Sequence, residues 1–241
     1  MAITKKEMRS QLNGTFRQRM KGLGFKGSGL SYRMKTDKFL FVIDIDVNFK
    51  KLESYIGFGI QPIVLKKKGD LGFINLGTIA SGSCELTKVL TWCFKKPSWK
   101  MSDNVTENER SAEQMVELIQ LKAMPVIQAY ITNPSILDTI TPSDIDNDYI
   151  LEQKLGGVYP TGLHVRTAWM LALYQENVNP KRAAQFAKKG LAYVEREEVK
   201  ITGKLKKMVE DGDLTGSIFG SDPEDEPFFG MEDLKRIAVM K

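Results

Sequence analysis

The sequence has few of the residues from which most metal and nucleophilic sites are built. Its 241 residues include two cysteines and one histidine. Cys84 and Cys93 lack the cysteine or histidine spacing of a zinc site, so we interpret them as reduced thiols, buried as small hydrophobic residues in a cytosolic protein. The single histidine, His164, leaves little material for a zinc site or for repeated general-base chemistry. A surface or helix-capping role is the simpler interpretation of His164.

Motifs with known chemistry are also missing. No serine or cysteine lies in a nucleophile-elbow sequence. The glycine pairs Gly27 with Gly29 and Gly57 with Gly59 lack the third glycine, or the lysine followed by serine or threonine, that phosphate-binding loops require at fixed spacing. We therefore expect no catalytic activity and no cofactor.

Long apolar runs are absent as well. No run approaches the roughly 20 residues that a bilayer-spanning helix needs, and residues 1–6 lack the apolar stretch of a secretory signal. The composition, 42% hydrophobic and 27% charged, is typical of a soluble globular protein. We expect a cytoplasmic protein with no membrane partner.

Charge is distributed unevenly along the chain. Residues 1–102 contain 19 Lys and Arg against 7 Asp and Glu, a net charge of +12. Residues 103–241 contain 16 against 23, a net charge of −7. This asymmetry indicates an anionic partner for the first part, or two parts that face each other. A solvated basic surface would give the same counts.

Two stretches with alternating apolar residues, 41–49 and 55–61, predict an antiparallel hairpin at the centre of the fold. Alternation is the period of a strand with one buried face. Residues 30–34 and 71–79 add a first and a fourth strand. With a helix over about residues 5–21, these strands predict an α+β fold: an antiparallel meander sheet of about four strands covered by helices, followed by a helical C-terminal extension.

Start and stop signals delimit the predicted helices. Thr4 and Glu7 form a capping box at the start of the first helix. A second helical region, from about Thr106, is kinked or divided at Pro125 and stops at Asn133.

The chain beyond residue 150 has mainly helical patterns. Two helices with small residues on their faces flank Asn179-Pro180 and predict a close pair. A charged helix over 197–210 and a short terminal helix over 228–240 follow. The predicted parts are an α+β domain over 1–140, a helical region over 150–211, and an acidic linker with a terminal helix over 212–241.

Short motifs in the first part carry a resemblance to a known family. They are LGFKG at 23–27, YR at 32–33, VNFKK at 47–51, FGI at 58–60 and AMPVI at 123–127. Over roughly residues 5–140 the chain resembles the bacterial domain of unknown function 4304, although that family often has Gln where Asn48 stands here. The family has no established activity, so the resemblance implies an α+β fold and a bacterial setting but no catalytic residues. Similar small α+β domains serve as immunity partners of bacterial toxins, and this analogy favours a protein partner.

A row of polar residues on the central hairpin is the first candidate site. Asp44 and Asp46 lie two apart on one strand, so both carboxylates project from one face. With Asn48 they would offer oxygen ligands to a divalent cation, or an acid–base pair. Gly57 and Gly59 on the facing strand would leave room above them. The alternative is an open polar face, which we interpret as a groove that another helix or a partner fills.

Basic and aromatic residues near the N-terminus form a second candidate surface. Arg17 and Arg33 would follow a phosphate backbone while Tyr32 stacks on a base. The alternative is that Phe25 belongs to the core and the charges keep the protein soluble. The full set is Arg17, Arg19, Lys21, Phe25, Lys26, Tyr32, Arg33 and Lys35.

An acidic segment near the C-terminus is the third candidate. Four carboxylates stand beside two phenylalanines, a composition typical of a tail that docks in a basic, apolar groove of this chain or of a partner. A solvated linker is the alternative. The residues are Asp222, Glu224, Asp225, Glu226, Phe228 and Phe229.

Three hypotheses about function follow from these features. The first is a non-catalytic protein-binding module that occludes a protein partner, with an immunity or defence protein acting on a toxin as one form of it. The alternative is a nucleic-acid-binding accessory protein that uses the basic N-terminal half. The third is a metal-dependent enzyme that uses Asp44 and Asp46.

Overall fold

The protein forms two compact units in a computed structural model. The structure describes residues 4, 6–7, 10, 14–48, 53–65, 68–69, 72–73, 76–90, 99–100, 102–160, 164–210 and 230–240. The first unit comprises residues 1–140 and 148–161, and the second comprises residues 141–147 and 162–241. Among the described helices, none combines the length and the apolar character that crossing a membrane requires.

An antiparallel sheet is the centre of the first unit. The strands are β1 (Lys26–Ser28), β2 (Ser31–Lys35), β3 (Phe39–Asn48), β4 (Glu53–Pro62), β5 (Lys68–Gly69), β6 (Gly72–Phe73), β7 (Leu86–Val89), β8 (Trp99–Lys100) and β9 (Tyr159–Pro160). The order in the sheet is β1-β2-β3-β4-β7-β9, with β8 also paired to β4, while β5 and β6 form a separate pair. The predicted α+β fold with an antiparallel sheet is confirmed.

The central hairpin is the pair of β3 and β4. Phe41 lies opposite Ile60, and Ile43 lies opposite Phe58. All four side chains are fully buried, because alternation along a strand places them on the same face. That face carries most of the apolar core of the first unit.

The fourth strand predicted over residues 71–79 is wrong. The neighbour of β4 is β7, and residues 76–78 form a turn. The following residues cross the other face of the sheet, where Ile79 and Cys84 pack against Leu40 and Val42 in a small second core. A 3₁₀ turn at Ser81–Ser83 lies in this crossing segment, residues 76–84.

In the described part of the first unit, the α-helices with assigned bounds are α1 (Thr15–Gly22), α2 (Val105–Leu118), α3 (Met124–Thr132) and α4 (Asp148–Lys154), and residues 6–7 and 10 are also helical. The predicted capping box is confirmed, since the Thr4 amide donates to Glu7 Oε2 at 2.8 Å and the Glu7 amide donates to Thr4 Oγ1 at 3.3 Å. The predicted helix over 5–21 is not continuous, because Gly14 is a non-helical residue and α1 begins only after it.

The helical region before residue 133 is divided close to Pro125. A π-helical turn, Ile119–Ala123, separates α2 from α3, and Pro125 occupies the first turn of α3, where its missing N–H costs no helical hydrogen bond. α2 begins at the N-cap Asn104 rather than at Thr106. On α3, the Tyr130 ring packs edge-on against Phe39 at 5.0 Å between centroids.

Three helices form the second unit: α5 (His164–Gln175), α6 (Pro180–Glu210) and α7 (Met231–Ala238). The predicted break before Pro180 is confirmed, but the helix predicted over 197–210 is the continuation of α6. α7 packs closely on this pair, because a Cβ on Gly190 would stand 2.9 Å from Leu234. A hydrogen bond of 3.1 Å from Trp169 Nε1 to Asp233 also holds α7.

We predict that Gly59→Ala destabilises the protein by about 1–3 kcal/mol through overpacking. A Cβ at Gly59 would lie 2.5 Å from the Ser81 carbonyl oxygen and 2.7 Å from Cys84 Sγ. Gly82→Ala is the control, because nothing lies within 4 Å of a Cβ there. Urea unfolding of both variants measures the difference, and equal stabilities would contradict the packing of the crossing segment on β4.

Candidate functional site

Asp44 is the buried centre of a hydrogen-bond network on the sheet face that the crossing segment covers. Its side chain is 9% exposed. Oδ1 accepts a hydrogen bond of 2.5 Å from the Ser31 hydroxyl on β2, and Oδ2 accepts one of 2.5 Å from the Ser81 amide. One carboxylate therefore joins two strands of the sheet to the segment that crosses them.

Arg33 extends this network on the same face. Its Nη1 donates to Ser31 Oγ at 2.9 Å, and its Nη2 donates to the Ile79 carbonyl oxygen at 2.9 Å. The guanidinium thus holds the crossing segment from a second side, and it is linked to the buried carboxylate through the Ser31 hydroxyl. Arg33 is a structural cation as well as a half-buried surface residue.

Asp46 has a different environment from Asp44. It is exposed, and its pKa is raised by partial desolvation and, to a lesser extent, by the negative charge of Asp44. The third predicted ligand, Asn48, lies opposite Glu53 in the sheet, and its side chain is outside the described part of the structure. The two aspartates share a face of the strand as predicted, but Asp44 is buried in a hydrogen-bond network whereas Asp46 is exposed.

The arrangement of Asp44 leaves it poorly suited to bind a cation or transfer a proton. Both of its oxygens already accept hydrogen bonds from groups of the same unit. Within the described ranges, no three His, Cys, Asp or Glu side chains lie close enough together to hold a metal ion. The expectation of a protein without metal or catalysis stays a prediction.

The space predicted above Gly57 and Gly59 is filled by the chain itself. A Cβ on Gly57 would collide with the Ser81 hydroxyl, and one on Gly59 with Ser81 and Cys84. The glycines allow the crossing segment to approach the backbone of β4 closely. The prediction of an open groove over these glycines is therefore corrected: no partner is needed to cover them.

An open pocket remains beside the crossing segment. It has a volume of about 370 Å³, within the roughly 300–1,000 Å³ that ligand pockets occupy. Two glycines, Gly24 and Gly77, contribute backbone to it. We call it the basic pocket, and its remaining lining residues are Lys26, Arg33, Met34, Lys35, Leu40 and Leu76.

The basic pocket could have been found only in part from the sequence. Lys26, Arg33 and Lys35 were all predicted as members of one basic surface. Residues 26–28 form the edge strand β1, which precedes the first predicted strand and pairs Lys26 with Arg33. Leu76 lies within the strand predicted over residues 71–79, so no sequence pattern indicated that it lines a pocket.

Tyr32 does not lie on a surface that a base could reach. Its side chain is fully buried, and its ring packs edge-on against Phe16 at 5.4 Å. Burial raises the pKa of the Tyr32 hydroxyl to about 12, although the nearby charge of Arg17 lowers it in part. Phe25 is also buried, so the two aromatic residues of the predicted nucleic-acid surface belong to the core. Arg17 itself is exposed on α1.

A second cluster of polar residues lies in the second unit. Asp146 accepts hydrogen bonds of 2.5 Å from Lys189 Nζ and from the Tyr193 hydroxyl. These bonds, that of Lys189 first, lower the pKa of the Asp146 carboxyl. The ring of His164 stands 5.2 Å from that of Tyr193, so the single histidine is part of this exposed network. The predicted tail residues Asp222, Glu224, Asp225, Glu226, Phe228 and Phe229 lie outside the described residues.

The family described as Domain of unknown function (DUF4304) matches residues 16–129 of the chain. The match confirms the resemblance found in the sequence and covers just under half of the chain. It includes β1 to β4, the crossing segment and most of the helical region through α3. No curated protein and no solved structure matches the chain.

We predict opposite effects for the two aspartates. Asp44→Asn loses at least one of two buried hydrogen bonds and destabilises the protein by about 1–3 kcal/mol. Asp46→Asn removes a charge that desolvation and Asp44 both disfavour, so its stability is unchanged or higher. Urea unfolding at neutral pH compares them, and an equal loss in both variants would indicate that the aspartates work as a pair.

We predict that stability falls between about pH 10 and pH 12 because of Tyr32. The unfolded chain loses the Tyr32 proton near the ordinary pKa of 10, whereas the folded chain keeps it up to about 12. Each unit of pKa difference corresponds to about 1.4 kcal/mol, so the loss approaches about 2–3 kcal/mol at the upper limit. The free energy of unfolding of Tyr32→Phe, measured between about pH 10 and pH 12, should not show the decrease that is due to Tyr32.

Tyr149→Phe is the matched control for Tyr32→Phe, because the Tyr149 side chain is 71% exposed. This variant should follow the wild-type pH dependence. At neutral pH, Tyr32→Phe should be at least as stable as the wild type, since the buried Tyr32 hydroxyl has no hydrogen-bond partner among the described residues. A Tyr32→Phe curve parallel to that of the wild type would refute the assignment.

Proposed function

We propose that this protein is a non-catalytic protein-binding module that neutralises a protein partner by covering the partner's working surface. The observation that carries the proposal is the role of Asp44. The strongest catalytic candidate in the sequence is used to hold the fold, because both oxygens accept hydrogen bonds within the first unit. What the unit offers to a partner is its basic surface.

The surface chemistry of the first unit supports an acidic protein partner. Lys26 and Lys35 are exposed beside the basic pocket, in the part of the chain with a net charge of +12. A field of one sign accelerates association with an oppositely charged partner and suppresses like-charged ones. Apolar lining beside these charges adds a place for a partner side chain to be desolvated.

The biological setting that we propose is that of a bacterial immunity or defence protein whose partner is a toxin. It rests on the resemblance to a bacterial domain family without established activity, and on the analogy with small α+β immunity domains. We place this binding in the cytoplasm, in keeping with Cys84, which is a buried cysteine in its reduced form.

Nucleic-acid binding is the second candidate function. Arg17, Arg19 and Lys21 are exposed on α1, and such a row of cations favours phosphate contacts. The aromatic residues that would have stacked on bases are buried. Since stacking contributes about 1–3 kcal/mol per base in single-strand binders, the remaining surface supports only salt-sensitive binding.

We predict that the tagged protein captures one protein partner at near one-to-one ratio from a nuclease-treated native lysate. The complex should survive high salt and added chelator, and the partner's own activity should fall in proportion to the fraction bound. An unrelated domain of the same net charge is the control for non-specific capture. Recovery of nucleic acid alone, lost after nuclease or at high salt, would replace this function with the second candidate.

A further inference from the structure

The basic pocket combines two kinds of surface, one cationic and one apolar. On one side stand Lys26 and Lys35, which are exposed and form no ion pair with any described residue. On the other side lie Leu40 and Leu76, of which Leu40 is 4% exposed and Leu76 partly buried. A ligand that satisfies both sides carries a negative charge next to an apolar group.

The strands fix the cations of this pocket. Lys26 on β1 lies opposite Arg33 on β2, and Lys35 lies opposite Leu40 on β3. Since alternate residues share a face of the sheet, Arg33 and Lys35 project to the same side. The Arg33 guanidinium is held in place by its hydrogen bonds to Ser31 and Ile79. It therefore supplies positive charge to the pocket at a fixed position. None of the described lining residues is acidic.

The size and lining of the pocket favour a protein segment over a nucleic acid. A volume of about 370 Å³ accommodates one or two side chains rather than an extended strand of nucleotides. Leu40 and Leu76 offer apolar contact that a phosphate backbone cannot use. Tyr32 and Phe25, the aromatic residues of the predicted nucleic-acid surface, are in the core.

We propose that the basic pocket binds an acidic segment of the partner protein, with a carboxylate between Lys26 and Lys35 and a neighbouring apolar side chain against Leu40 and Leu76. This inference rests on the proposed protein-binding function and specifies the partner's chemistry. Carboxylates paired with exposed lysines contribute modestly one at a time, so the apolar side chain supplies the desolvated contact and the charges supply selectivity.

The test uses the full chain and two labelled peptides. In the first, glutamates flank a central leucine and phenylalanine, and in the second, glutamines replace the glutamates. Fluorescence anisotropy should show saturable binding of the first peptide and at least tenfold weaker binding of the second. Equal affinity for both peptides, or no binding of either, would overturn the proposal.

Matched charge reversals locate the binding site. Lys26→Glu combined with Lys35→Glu should weaken the acidic peptide about tenfold or more, which corresponds to about 1.4 kcal/mol. Arg19→Glu combined with Lys21→Glu makes the same change of net charge outside the pocket. This control should weaken the binding of the acidic peptide by less than about twofold. Equal losses in both variants would mean general attraction to a basic protein and overturn the assignment. Thermal unfolding checks that both variants fold.

A second measurement needs no substitution. In the wild type labelled at leucine methyl groups, the Leu40 signal should shift on peptide addition, whereas the signal of the fully buried core residue Leu137 should not. Binding of the peptide without a shift at Leu40 would overturn the placement. A single-stranded oligonucleotide that displaces the peptide and shifts Leu40 would assign the pocket to nucleic acid instead.

Different experimental outcomes would refute the assignment of the basic pocket and the proposed protein-binding function. If a captured partner still binds the Lys26→Glu, Lys35→Glu variant at wild-type strength, the protein-binding function stands and the pocket assignment falls. If the acidic peptide binds in the pocket but no protein is captured from the lysate, the pocket stands and the proposed function falls.

Discussion

A single buried carboxylate ties together the parts of the first unit that lie far apart in the chain. Asp44 accepts hydrogen bonds from Ser31, 13 residues before it, and from the Ser81 amide, 37 residues after it. Placing a charge there is unfavourable unless it is fully hydrogen-bonded and compensated. The Ser31 hydroxyl and the Ser81 amide supply these hydrogen bonds, and Arg33 donates in turn to the Ser31 hydroxyl. The sheet, the crossing segment and the small second core are consequently interdependent, because removing any one of them leaves a buried polar group without its partner.

This use of Asp44 decides which surface of the first unit is available to other molecules. Gly57 and Gly59 have no side chains so that Ser81 and Cys84 can pack on β4, and the middle of that sheet face is closed. The basic pocket at the margin of that face stays open, and Lys26 and Lys35 lie there beside the apolar residues Leu40 and Leu76. A face that looks polar and accessible in the sequence is thus partly interior. The open part of this face lies at the strand edge instead of over the aspartates.

The sequence predicted best those features that depend on neighbours along the chain. Strict alternation revealed the hairpin of β3 and β4, and the spacing of Thr4 and Glu7 revealed a reciprocal cap. Leu76 and Ile79 contributed to the wrong prediction of a fourth strand, because apolar residues have the same spacing whether they extend a sheet or cross its face. The contact that distinguishes the two, from Ser81 to Asp44, joins distant residues and leaves no local pattern. The burial of Tyr32 follows from its pairing with Ile43, which belongs to the apolar face of the hairpin, and this register between two strands is not fixed by the sequence of either strand alone.

Local opening of the crossing segment has an unusual energetic balance. Detaching residues 76–84 would expose the apolar groups of Ile79 and Cys84, which opposes opening, but it would also return the Asp44 carboxylate to water. The regained hydration offsets part of the loss, so this segment is expected to open before the hairpin beneath it does. Leu76 belongs both to this segment and to the basic pocket. A partner seated against Leu76 would therefore hold the segment shut, and hydrogen exchange at the covered sheet face would slow at a distance from the bound surface.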